Sequence, residues 1–96
     1  MSTLARLEAW YRRQCNGDWE HLYGVTIETL DNPGWSVTVD LTGTKLERVP
    51  YTPLSPSEND GIECRVARGK WKGTGGPLKL NQLLEAFLTW AEKQGS

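Results

Sequence analysis

Apolar side chains recur near the start of the chain at Leu4, Leu7, Trp10 or Tyr11, and Cys15. That spacing puts them on one face of a helix. Ser2 or Thr3 is suited to cap its start, and Asn16-Gly17 to stop it, because both residues tolerate a left-handed backbone. The period then changes from about 3.6 to 2. Val25, Ile27 and Thr29 alternate with Thr26, Glu28 and Leu30, which predicts a strand. Trp35, Val37, Val39 and Leu41 alternate with Ser36, Thr38, Asp40 and Thr42, which predicts a second. Asp31-Asn32-Pro33-Gly34 joins them. Asn-Pro-Gly-Trp fits a type II turn, with Pro33 presetting φ and Gly34 accepting a positive one. The pair is expected to form an antiparallel hairpin with a loop slightly longer than the minimum.

Gly43-Thr44 breaks the alternation. Leu46 to Tyr51 has room for a short strand, limited by Pro50 and Pro53. Thr52 to Gly61 is the most loop-like stretch. Ile62, Cys64 and Val66 alternate with Glu63, Arg65 and Ala67, predicting a third main strand that runs on toward Trp71. Lys72 to Pro77, KGTGGP, reads as a loop. Leu80, Leu83, Leu84, Phe87, Leu88 and Ala91 return to helical spacing, with Trp90 beside the stripe. The predicted class is α+β: an N-terminal helix, an antiparallel sheet of three to four strands, and a C-terminal helix packed on the sheet. One sheet face then buries both helical stripes in a single core.

Length and charge narrow the picture. A chain of 96 residues is expected to form one domain spanning residues 1–96. Eleven Lys and Arg stand against twelve Asp and Glu, a net charge of −1, so global charge favours neither nucleic acid nor an anionic membrane. No apolar run approaches the roughly 20 residues that span a bilayer. The opening MSTLARLEAWYRRQ has charges within its apolar pattern and reads as an amphipathic helix, not a signal peptide. Two cysteines are too few for a disulfide framework, and a reduced cytoplasmic protein is the simplest expectation. Five tryptophans are many for this length, and tryptophan serves both cores and interface anchors.

The densest chemistry lies in CNGDWEH, Cys15 to His21. Cys15 and His21 have the types of a nucleophile and its base, but Cys15 falls at a helix end, where a small buried hydrophobe is expected. Asp18, Glu20, His21 and Asp31 are candidate metal ligands. A zinc site takes about four ligands at recognised spacings, which this set lacks; no metal and no cofactor is expected. Asp18 and Glu20 would face the same side of an extended segment as paired carboxylates. They are better suited to capping turns or to pairing with Arg12, Arg13 or a basic residue of the third strand, because loop carboxylates have local work to do. KGTGGP lacks the spacing and the strand–helix context of a phosphate loop. Arg65, Arg68, Lys70 and Lys72 surround Trp71 in a basic, aromatic run of the kind that binds nucleic acid, but the run is short and the chain net acidic. A solvated strand edge is expected there.

Taken together, WYRRQCNGDWEHLYGVTIETLDNPGWSVTVDLTGT from Trp10 to Thr44, the Leu46 to Tyr51 piece, IECRVARGKWKGTGGP and the closing LLEAFLTWA resemble the immunity protein family fifty-three of bacterial polymorphic toxin systems. The resemblance covers nearly the whole chain, with short motifs at Trp19-Glu20 and Asn32 to Trp35. It implies a small α+β cytoplasmic protein without enzymatic activity that binds and neutralises a cognate toxin, a nuclease being one class such toxins include. Asp18, Trp19, Glu20, His21, Asp31 and Trp35 are the expected toxin-binding residues. Neither a membrane nor nucleic acid is expected as a direct partner, and monomer and homodimer both fit. Two other readings stay open: a small enzyme using Cys15 or the Asp18/Glu20 pair, and a nucleic-acid-binding module using Arg65 to Lys72.

Overall fold

The helix predicted near the start begins at Ser2, whose hydroxyl accepts a hydrogen bond from the Ala5 N–H at 3.1 Å. In the computed structural model, which describes residues 2–51 and 61–95, this helix, α1, spans Thr3–Gln14. Cys15 closes it, and Gly17 takes a positive φ of 94° just beyond. A one-turn helix, α2, follows at Trp19–Leu22. Four strands come next: β1 Val25–Leu30, β2 Gly34–Asp40, β3 Ile62–Ala67 and β4 Lys70–Gly75. Helix α3 spans Leu80–Lys93. The sheet is antiparallel throughout, in the order β1-β2-β4-β3.

The register explains why the strands alternate. Val25, Val39, Trp71 and Val66 stand side by side across the sheet, as do Ile27, Val37, Gly73 and Cys64. Side chains two apart share a face, so these rows form one apolar surface. The intervening rows are polar: Thr26, Thr38, Lys72 and Arg65, then Glu28, Ser36, Thr74 and Glu63. The sheet is therefore covered on one side and solvated on the other, as expected of an antiparallel sheet with its helices on one face.

Helix α3 lies over β2, β3 and β4, and α1 packs beside it. Phe87 of α3 is the centre of the core. Its ring meets Trp10 of α1 edge-on at 5.0 Å between centroids and Trp71 of β4 at 5.4 Å. All three side chains are fully buried. The helix pair is fastened outside by Arg6, which donates to Glu85 at 2.8 and 2.9 Å and to Glu92 at 2.7 and 2.9 Å.

Four details differ from the sequence reading. Leu46 to Tyr51 is not a strand. Successive turns run through it, with Glu47 N–H bonding to Thr44 O and Val49 N–H to Leu46 O. The Thr44 hydroxyl starts the series by donating to Leu41 O and accepting from Leu46 N–H. This local bonding replaces a ladder and drives Leu46, fully buried, into the core. Second, β3 does not run to Trp71. Arg68 and Gly69 both take positive φ, 54° and 76°, the signature of a mirror-image hairpin turn. The chain reverses there, so most of KGTGGP is strand β4, not loop. Third, Gly34 does not take the positive φ of a type II turn. It pairs with Leu30 as the first residue of β2, leaving a three-residue loop at Asp31–Pro33. Glycine is needed there for space, because a Cβ would sit 2.4 Å from the Gly75 carbonyl oxygen. Fourth, the approach to β1 holds the helical turn α2 where an extended start was expected. The loop expected over residues 52–60 lies outside the described residues.

Candidate functional site

CNGDWEH folds into a self-capped turn. The side-chain oxygen of Asn16 accepts from the N–H groups of Asp18 and Trp19, both at 2.9 Å. Glu20 reaches back, its two oxygens accepting from Asn16 N–H at 2.9 Å and Gly17 N–H at 2.8 Å. Between them the two side chains satisfy four consecutive backbone donors, those of Asn16, Gly17, Asp18 and Trp19, much as a capping box serves the free donors at a helix start. Glu20 is held below the usual carboxylate range, first by its own backbone N–H and then by those of Asn16 and Gly17. Hydrogen bonds to the charged form favour it.

That depression has a direction. A carboxylate with a lower pKa in the folded state stabilises the fold at neutral pH, and the contribution disappears as pH falls through the folded value. The melting temperature of a Glu20→Gln protein should therefore lie below that of the wild type at pH 7. The two should converge only in acid below the ordinary carboxylate range, once pH has fallen through the depressed folded value and the wild-type carboxyl is itself protonated. Thermal melts across that range read the difference directly. A constant gap at all pH values would show that the charge plays no part.

Trp19 sits 4% exposed between Trp10, Tyr11 and Tyr23, and its Nε1 donates to Thr42 O at 2.9 Å. It joins the turn to the end of β2. Trp35 is half-buried, and its Nε1 donates to Pro77 O at 2.9 Å, tying β2 to the entry of α3. Both indoles are therefore held within the fold. Asp18, His21 and Asp31 are exposed, Asp31 at the hairpin tip. The six expected site residues thus lie on one run, Asp18 to Trp35, but divide into a buried or capping set and an exposed polar set.

The two thiols are each engaged locally. Cys15 is half-buried, and its Sγ donates to Tyr11 O at 3.4 Å, so its proton is directed to the helix backbone. Cys64 is half-buried on β3, and burial pushes its thiol up. The neighbouring Tyr51 hydroxyl is pushed up to about 12, again chiefly by burial. Neither cysteine is in a disulfide. Among the described residues no three His, Cys, Asp or Glu side chains gather as a metal centre, and no helix is long and apolar enough to cross a membrane. The glycines of β4 make room for neighbouring side chains. A Cβ on Gly73 would lie 2.7 Å from the Trp71 ring and 3.0 Å from Leu83, so this glycine makes room for the core.

The charges are unevenly distributed along the chain. Between Gln14 and Thr44 the chain carries Asp18, Glu20, Glu28, Asp31 and Asp40 and no Lys or Arg. The β1–β2 side of the sheet is an acidic pole. Arg65, Arg68, Lys70 and Lys72 lie on the β3–β4 side, where Lys70 pairs with Asp40. The large apolar side chains left exposed are also unevenly spread. Leu4 and Tyr11 belong to α1, Leu22 to α2, and Ile27 and Leu30 to β1, with Leu78 alone elsewhere among the described residues.

The fold and these side chains define a small α+β protein with two helices on one face of a four-stranded antiparallel sheet. Its most marked motifs cap, pack and charge one side of that sheet. The chain belongs to the Immunity protein 53 family, whose model matches residues 4–92. No curated protein and no solved structure matches it.

Proposed function

We propose that this protein binds and neutralises a cognate bacterial toxin in the cytoplasm of the producing cell, by protein–protein contact and without chemistry of its own. Family membership over residues 4–92 carries the reading. The acidic pole supports it: Asp18 and His21, just before β1, and Asp31, at the hairpin tip, are all exposed, and acidic groups there are suited to a basic toxin such as a nuclease. Charges so placed steer encounter and fix register. In this scheme Trp19, Glu20 and Trp35 act through the turns they hold, supporting that surface.

Co-expression with the toxin encoded by the neighbouring gene tests it. Growth should be restored and the two proteins should co-purify. The Asp18→Asn/Asp31→Asn double variant should keep its melting temperature while its association slows, with weaker dependence on salt. A well-folded wild-type protein that neither binds nor rescues would remove the proposal.

A further inference from the structure

The outer edge of β1 offers main-chain groups and an apolar groove at the same residues. Asp40 N–H bonds to Gly24 O at 3.0 Å, which sets the phase of the β1–β2 ladder. Antiparallel pairing alternates, so in phase with that bond the N–H and C=O groups of Val25, Ile27 and Thr29 point away from β2. Among the described residues, β1 is paired on that one side only. Their side chains share the helix-covered face with Val37 and Val39. There Val25 and Ile27, with Gly24, Leu7, Glu8 and Tyr11, line an open groove of about 340 Å³ between β1 and α1. Ile27 remains 40% exposed.

Exposed edge strands are commonly protected by Lys, Pro, a bulge or a covering element. VTIETL contains no Lys or Pro, and its register with β2 runs unbroken through all six residues. Its only charge is Glu28, on the solvated face. This edge is continuous with the acidic pole, and Glu8 borders the groove. A second copy of the chain would bring the same acidic charge to the same edge. A basic strand would meet opposite charge along it.

We infer that β1 receives an extended segment of the toxin as a fifth strand, with apolar side chains entering the α1–β1 groove and Lys or Arg side chains alternating onto the open face beside Glu28. Main-chain pairing supplies affinity in this mode of recognition, and the alternate side chains supply selectivity. The inference rests on the toxin-neutralising reading and specifies how the partner docks.

The test uses the full chain and an active-site-inactivated toxin encoded by the neighbouring gene. Amide hydrogen exchange is read residue by residue with and without toxin. Protection should appear at Val25, Ile27 and Thr29, whose amides face outward, while Thr26 and Glu28 change little. Ile27→Lys and Glu28→Lys should each weaken binding, Ile27→Lys by about 30-fold or more, the scale of an interface anchor. Lys72→Glu, two strands away on the open face, should bind at least as well as wild type. Glu28 lies on the solvated face, so its variant tests the docking even if Ile27→Lys folds poorly. Tight toxin binding with protection elsewhere and unaffected variants would overturn this docking and leave the immunity reading standing. Protection of the same three amides that grows with protein concentration and needs no toxin would assign the edge to a second copy, also overturning it. No complex with the wild-type protein would end both readings.

Discussion

Gly73→Val should be severely destabilising, and Gly73→Ala should already lower stability by about 1–3 kcal/mol, the range for overfilling a packed core. The reason is the layer above it. Gly73 stands between Val37 and Cys64 on the helix-covered face, and the space a side chain would occupy holds the far edge of the Trp71 ring and a methyl of Leu83. Trp71 and Leu83 are both fully buried, so neither can swing into solvent. One methyl would have to lift α3 or tilt the indole. Valine adds two more carbon atoms to the same place. Chemical denaturation of the alanine variant and expression of the valine variant measure the two steps. Wild-type stability in Gly73→Val would mean that the helix layer is loosely held.

Trp10→Ala should cost about 3–5 kcal/mol, the usual range for removing a large aromatic side chain from a core. That is a large part of the roughly 5–15 kcal/mol that holds a small domain together. Trp10 is fully buried and has edge-on contacts with Phe87 at 5.0 Å and Trp19 at 6.1 Å. Its loss would open a cavity between α1, α2 and α3. Trp35→Ala should cost less, because its ring is half-buried and its loss leaves the Pro77 carbonyl near solvent. Urea titrations of the two variants should give clearly separated midpoints. Similar midpoints would contradict the central place of Trp10.

The elements with a clean period were legible in the sequence. Leu83, Leu84, Phe87, Leu88 and Ala91 form the buried stripe of α3, and Val37 and Val39 the buried side of β2. Where the reading failed, the signal was a residue type with two physical uses. Glycine marks turns, so Gly73 and Gly75 suggested a loop, but here they provide space against Trp71, Leu83 and Ile62. Arg68 is an uncommon residue for the left-handed backbone of a hairpin turn, so Arg68-Gly69 gave little warning that the chain reverses. Trp19 and Glu20 stood out as a pair, yet sequence spacing does not reveal that one points inward to Thr42 and the other back to Asn16 and Gly17. The edge position of β1 was equally hidden. Its pattern matches that of β2, and only the strand order separates them.

The placement of α3 has a consequence for how the protein comes into being. Five of the fourteen buried core residues among those described, Leu83, Leu84, Phe87, Leu88 and Ala91, belong to this helix, which is translated after every strand. A ribosome adds about 5–20 residues per second, so for seconds the nascent sheet carries its apolar face uncovered. Closure of the core must await release of the last helix. The supply of working protein is therefore the stock of finished molecules, and a message cut short before α3 would contribute nothing to that stock.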